Sequence, residues 1–182
     1  MYYPLVKHIK KTVIGIGFVF LVGCSGIGVK SDVTIGDQFK MGDVSLIVSQ
    51  NITPNITYHT EAELQQILSQ KIKALLEQRG LLSHQPVANA LAIQVVYHRN
   101  FLNEQNDKSS IALAYPNYDY EIKVMDGVTK LTQVTQKNRV FKGRFIMNID
   151  VLAGRLKKKS DEVVFIEGLA KDIVRSVQQI KG

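Results

Sequence analysis

The sequence predicts an α+β fold: a two-layer sandwich in which a mostly antiparallel sheet of four to five strands packs against two amphipathic helices, in the order β-α-β-β-β-β-α. Three observations predict it. Residues 60–79 and residues 160–180 each carry an apolar stripe at helical spacing. Between them lie runs that alternate apolar and polar residues, the period of a half-buried strand. One-sided helices and a one-sided sheet bury their apolar faces against each other, which makes two layers. The composition agrees. Of 182 residues, 45% are hydrophobic and 21% charged, the balance of a folded chain rather than of a disordered, multi-span or collagen-like one.

Asp43 to Ser49 reads as a short strand, with Val44, Leu46 and Val48 on one face and Ile47 on the other. Thr60-Glu61-Ala62-Glu63 is a capping box that starts a helix, and Leu64, Ile67, Leu68, Ile72, Leu75 and Leu76 form its apolar stripe. Gly80 is placed to end it in a left-handed turn. Ala88 to Phe101 alternates around Leu91, Ile93, Val95 and Tyr97 and predicts a long strand. Asn103 to Ser110 is polar and predicts a turn or excursion.

Tyr118, Tyr120, Ile122 and Val124 lead into Asp126-Gly127, a hairpin signal in which both residues are expected at positive φ. Val128 to Thr135 is the return strand. A further strand is predicted over Val140 to Leu152, with Phe141, Phe145, Met147, Ile149 and Val151 on one face. Ser160 and Asp161 then open the last helix, whose stripe is Val163, Ile166, Leu169, Ala170, Ile173, Val177 and Ile180. This folded part, about 140 residues, is long enough to bury a real core.

The amino end has a different character. Lys7, Lys10 and Lys11 precede twelve uncharged residues, Thr12 to Gly23, which as a helix would rise only ~18 Å against a hydrocarbon core of ~30 Å. A basic stretch, a short apolar stretch and a small residue are the parts of a secretory leader. Leu21-Val22-Gly23-Cys24 resembles the lipobox of bacterial lipoproteins. That resemblance implies that the Cys24 sulfur receives a diacylglyceryl group, that the chain is cut before it, and that the new amine is acylated. More than one buried acyl chain is what makes such an anchor stable. In that family the residue after the cysteine directs sorting, and Ser25 in place of Asp implies the outer membrane. Two other readings stay open at this point. Uncharged sequence runs on to Val29, so an uncleaved anchor could just span, although its glycines weaken an isolated helix. Cys24 could also be a buried, inert thiol.

The expected organisation is therefore a leader over 1–23, a lipidated Cys24 and flexible tether over 24–42, and a periplasmic α+β domain over 43–182. The formal charge of +7 falls to +4 once the leader is removed, which gives no argument for nucleic acid. A single cysteine excludes an intrachain disulfide and a Cys-rich zinc module. The layout also resembles the YajG-type lipoproteins. The pattern is lipobox, tether, a helix ending in LLEQRGL (Leu75 to Leu81), the strand ALAIQVVYHRNF (90–101), a hairpin, a strand and an acidic-capped last helix. It covers roughly residues 43–181 and implies the fold and the compartment; the family defines no catalytic residue.

The chemistry is sparse. His59, His84 and His98 fall on a helix start, a loop and a strand, without the spacing of a metal site. There is no GxSxG, SxxK, GxGxxG or Walker pattern. No enzymatic activity, cofactor or metal is expected. Two surfaces stand out. Arg155, Lys157, Lys158 and Lys159 precede a helix start and suit an anion such as a lipid phosphate; a solvated loop tip is the plain alternative. Tyr115, Tyr118 and Tyr120 form an aromatic group, read either as cross-strand packing or as a partner patch. The expected function is a non-enzymatic outer-membrane lipoprotein whose periplasmic domain binds another envelope protein or organises an envelope complex. The alternatives are a lipid- or lipopolysaccharide-binding lipoprotein using the basic loop, and an immunity-type lipoprotein against a periplasmic toxin.

Overall fold

A computed structural model describes residues 34–54, 56–102, 111–141, 143 and 145–180, with only the backbone of residues 145 and 146. The leader, Cys24 and the first part of the tether lie outside the described residues, as does the excursion over 103–110. Contacts divide the chain at residues 32 and 33, and everything described belongs to the second unit.

Seven elements follow in order: β1 (Lys40–Ser49), α1 (Glu61–Gln78), β2 (Ala90–His98), β3 (Asn117–Asp126), β4 (Thr129–Val140), α2 (Phe145–Leu152) and α3 (Lys159–Ile180). The sheet order is β1-β2-β3-β4. β1 pairs parallel to β2, and the other two pairings are antiparallel. The α+β class and the mostly antiparallel sheet are as the sequence predicts, and the parallel β1–β2 pair makes the sheet mixed.

α1 starts as its capping box dictates. The Thr60 hydroxyl accepts from the Glu63 amide at 3.2 Å, and the Glu63 carboxylate accepts from the Thr60 amide at 2.8 Å. Its other end closes at Gly80, where φ is +64°. The Leu81 amide donates to the Leu76 carbonyl at 2.8 Å and the Gly80 amide to the Glu77 carbonyl at 3.0 Å, which satisfies two end carbonyls of the helix. Leu76 and Leu81 are both buried beneath this turn.

One sheet face carries Leu46, Leu91, Ile93, Val95, Tyr97, Tyr118, Tyr120, Ile122 and Val124, all buried. Leu64, Leu68, Ile72 and Leu76 of α1 and Phe165, Ile166, Leu169, Ile173 and Val177 of α3 cover it. Truncating one of these large side chains to Ala costs roughly 2–5 kcal/mol. The two helices run side by side in the same direction: Lys159 pairs with Glu63, Lys71 with Glu167, and Arg79 bonds to Gln178. The other sheet face is polar and open, with Gln133 donating to Glu121 at 2.8 Å and Lys123 paired with Glu121 at 2.6 Å.

Four sequence expectations need correction. The strand predicted over 140–152 is the helix α2. β4 itself runs to Val140, which pairs with Asn117 at the start of β3, and α2 begins five residues later. Met147 and Val151 are two positions of an alternation but also four residues apart on a helix. They turn inward, while Leu152 is 82% exposed.

The domain also begins earlier than residue 43. Phe39 is fully buried; its amide donates to the Leu81 carbonyl and its carbonyl accepts from Ser83, both at 2.8 Å. β1 starts at Lys40, so the tether ends before it.

In the β3–β4 hairpin, Asp126 is a strand end paired with Thr129, and the loop is Gly127-Val128. Positive φ is confined to Gly127, at +56°, the pattern of a turn that needs Gly only at its first central position. Finally, β4 extends past Thr135 through a bulge. Tyr118 pairs with Arg139 and Tyr120 with Gln136, which leaves one residue on β3 opposite two on β4. Asn138 absorbs the bulge at φ +50°, and its amide donates to Asp119 at 2.6 Å.

Candidate functional site: an open strand beside a basic groove

The two helices do not cover the sheet evenly. α1 packs over β1 and α3 over β3. β4 is left with β3 as its one substantial neighbour, and it is the most exposed strand. It is also an edge, so one row of its backbone amides and carbonyls points away from the sheet. The opposite edge is different. On β1 the outward amides of Leu46 and Val48 donate to Gln65 and Glu61 of α1, at 3.3 and 2.8 Å. Helix side chains thus occupy the β1 edge, whereas among the described residues no side chain caps the outer edge of β4.

A groove of about 720 Å³ lies between β4 and α3. Four cations line it, Lys137 and Arg139 from β4 and Lys171 and Arg175 from α3, against one carboxylate, Asp172. Asp172 is held from three sides: the Tyr118 hydroxyl donates at 2.8 Å, Arg175 at 3.0 Å and Arg139 at 3.3 Å. Lys137 and Lys171 are exposed and, among the described residues, have no ion-pair partner. Val140 adds an exposed apolar side chain to the lining of the groove. Gly168 permits the close approach of α3 to Phe141, because a Cβ there would fall 2.1 Å from the Phe141 ring.

The residues expected to be functional are placed as follows. Cys24 lies outside the described residues. Tyr118 and Tyr120 are buried, so those two do not form a partner patch. Their rings stack at 6.3 Å under the helix layer, and Tyr120 is bonded to Ser176 at 2.9 Å. Burial raises the pKa of both hydroxyls. Tyr115 is half-buried against Phe141 and Phe165 and bonded to Asn148, and burial raises its pKa as well. Cross-strand and helix packing accounts for all three.

In the basic loop, Arg155 pairs with Asp150 at 3.2 Å and Lys159 with Glu63 at 2.7 Å. Lys157 and Lys158 make no ion pair among the described residues. The backbone amide of Lys158 is already taken by Asp161, at 2.9 Å. This loop stands at the start of α3. Residues 34–38 join the domain at the other end, where Gly36 bonds to Asn89 and Gln38 to Gly80. α3 alone spans ~33 Å between those ends.

A buried polar cluster lay outside what the sequence singled out. Glu162 is fully buried in the first turn of α3 and bonded to Arg99 at 2.6 Å. Arg99 also donates to Gln50 and to the His59 carbonyl, both at 2.7 Å, and the His59 ring lies 3.3 Å from the Glu162 carboxylate. Tyr58 sits under the guanidinium, its pKa pushed up to about 12 by burial and by the charges of Glu162 and Asp161. Burial, with Glu162 second, pushes the Tyr97 hydroxyl well above its usual value. The signal was present: Glu162 is four residues before Ile166 and seven before Leu169, on the apolar stripe itself. Arg99, Glu162, His59 and Gln50 bond one another and tie together the ends of β1, β2, α1 and α3, while the buried Tyr97 hydroxyl has no hydrogen-bond partner among the described residues. Among the described residues no group of His, Cys, Asp and Glu is assembled to hold a metal.

No family model matches this chain, so the YajG-type resemblance rests on the sequence pattern. No curated protein matches it either. Among solved structures it is similar to a minor lipoprotein from Acinetobacter baumannii, at 18% identity over 79% of this chain and 95% of that one, with a TM-score of 0.39. A neuraminyllactose-binding hemagglutinin homolog from Helicobacter pylori matches at 12% identity over 79% and 94%, with a TM-score of 0.30. A Xanthomonas campestris protein of the DUF330 family matches at 10% identity over 76% and 88%, with a TM-score of 0.32. With every TM-score below 0.5, nothing those proteins are named for is carried to this chain.

Proposed function

We propose that this protein is a non-enzymatic envelope lipoprotein, held by acyl groups on Cys24 at the periplasmic side of the outer membrane, whose domain docks another envelope protein along β4. The observation that supports the docking is the state of β4: the most exposed strand, open along its outer edge and beside a charged groove. Strand addition to such an edge supplies main-chain hydrogen bonds, and the flanking side chains supply selectivity. The anchor reading is supported by the lipobox-like Leu21-Val22-Gly23-Cys24 at the end of a short apolar stretch, and the outer-membrane reading by Ser25. Anchoring raises the effective concentration of the domain for a co-anchored partner.

The lipid-binding alternative loses ground on two counts. Two of the four loop cations are already paired, and the loop stands at the end of the domain away from residue 34.

The test is a photo-crosslinking residue at Lys137 or Val140 in intact cells, with mass-spectrometric identification of what is captured. The expected result is one protein captured from both β4 positions and not from Ile47 on the other edge or Lys157 in the basic loop. Equal capture from all four positions, or none from β4, defeats the docking reading.

A further inference from the structure

We propose that the groove between β4 and α3 receives an extended, acidic segment of a partner protein, which pairs as a fifth strand on the outer edge of β4 and sets its carboxylates against Lys137 and Lys171. This rests on the docking reading above and adds the chemistry of what docks.

Three observations select this occupant. The first is the juxtaposition of an uncapped strand edge with a cationic wall. An extended peptide can use both at once, because its backbone pairs with β4 while alternate side chains point to one side. The second is the sign of the charge. The groove holds four cations and one carboxylate, and Asp172 is already saturated by Tyr118, Arg139 and Arg175. Lys137 and Lys171 are left to meet an incoming anion. Residues 137–144 include Lys137, Arg139, Lys142 and Arg144 and no acid, so the sequence continues in the same sign.

The third observation concerns a second copy of this chain. Lysines and a bulge on an edge strand are the usual protection against self-pairing, and β4 has Lys130, Lys137, Arg139 and the bulge at Asn138. Basic strand against basic strand is repelled, whereas an acidic strand is attracted by the same residues. A lipid surface has phosphates but no strand to pair, and it leaves the edge unused.

The test uses the full-length protein in detergent and a fluorescein-labelled decapeptide of alternating Thr and Glu, followed by anisotropy. The expected result is saturable binding that weakens at least about tenfold in the Lys137→Glu/Lys171→Glu double variant. Binding should weaken similarly when prolines are placed in the peptide, which keeps its charge and removes the pairing amides. Both lysines are exposed, so the double variant should melt like the wild type, and Lys157→Glu/Lys158→Glu, equal in charge, should bind normally.

No binding, binding indifferent to Lys137 and Lys171, or binding kept by the proline peptide overturns the proposal. So does displacement of the peptide by phosphatidylglycerol vesicles, which would place a membrane in the groove. If crosslinks from Val140 identify one protein while the acidic peptide fails, the acidic segment falls and the docking reading stands. If the peptide binds while β4 captures nothing in cells, the docking reading falls.

Discussion

Arg99 donates from Nε to the Glu162 carboxylate at 2.6 Å, with Glu162 fully buried and Arg99 nearly so. That single bond joins the end of β2 to the first turn of α3, two segments 63 residues apart. The guanidinium also reaches Gln50 after β1 and the His59 carbonyl before α1. At the end of the domain where α1 and α3 begin, one ion pair thus links four elements beside the apolar contacts of Tyr58 and Phe101.

Removing one member of that pair leaves a buried charge without its partner. Glu162→Ala is expected to destabilise the domain by about 3–5 kcal/mol, against a near-neutral change for an exposed acid. Urea unfolding of the variant and of Glu77→Ala as the exposed control checks this. A loss below about 1 kcal/mol in Glu162→Ala would show that water reaches the site.

Glu63 has its carboxyl pulled down to about 2, first by the hydrogen bond from Lys159 and then by the Thr60 amide. A carboxylate with a lowered folded pKa stabilises above its unfolded pKa, and the contribution is lost as pH falls through the folded value. Wild type and Glu63→Gln should therefore differ by a constant melting temperature above about pH 4.5, with the gap closing as pH approaches 2. A gap independent of pH would mean that the Lys159 contact contributes nothing.

Gly168 has no room for a methyl group, since its Cβ would lie 2.1 Å from Phe141. Gly168→Ala should push Phe141 out of its place and cost about 1–3 kcal/mol by overpacking. The same change at Gly36, where the nearest atom to a Cβ is 3.6 Å away, should cost far less. Chemical denaturation of both variants gives the comparison, and equal losses would contradict the observed packing of α3 on Phe141.

Cys24→Ala should accumulate an uncut precursor that incorporates no labelled fatty acid, while the wild type incorporates it. Membrane fractionation of the labelled wild type should place it with the outer membrane. A wild-type protein without label defeats the anchor reading.

Local chemistry alone was enough for α1, most of α3, the central strands and the hairpin position. A capping box, a glycine past the last turn and a period of 2 or 3.6 act within a few residues and need nothing from the rest of the chain. The same locality explains the one misread element. Phe145 to Leu152 satisfies both periods over its short length, and the packing of Met147 and Val151, four residues apart, against the core goes with the helical one. The site is the other case. Lys137 and Arg139 lie some thirty residues from Lys171 and Arg175, and only the seating of α3 over β3 draws them into one groove beside an open strand edge. Likewise an acid on an apolar stripe, Glu162, becomes intelligible once Arg99 arrives from β2. Burial and edge exposure are properties of how elements pack on one another, so no stretch of chain carries them by itself.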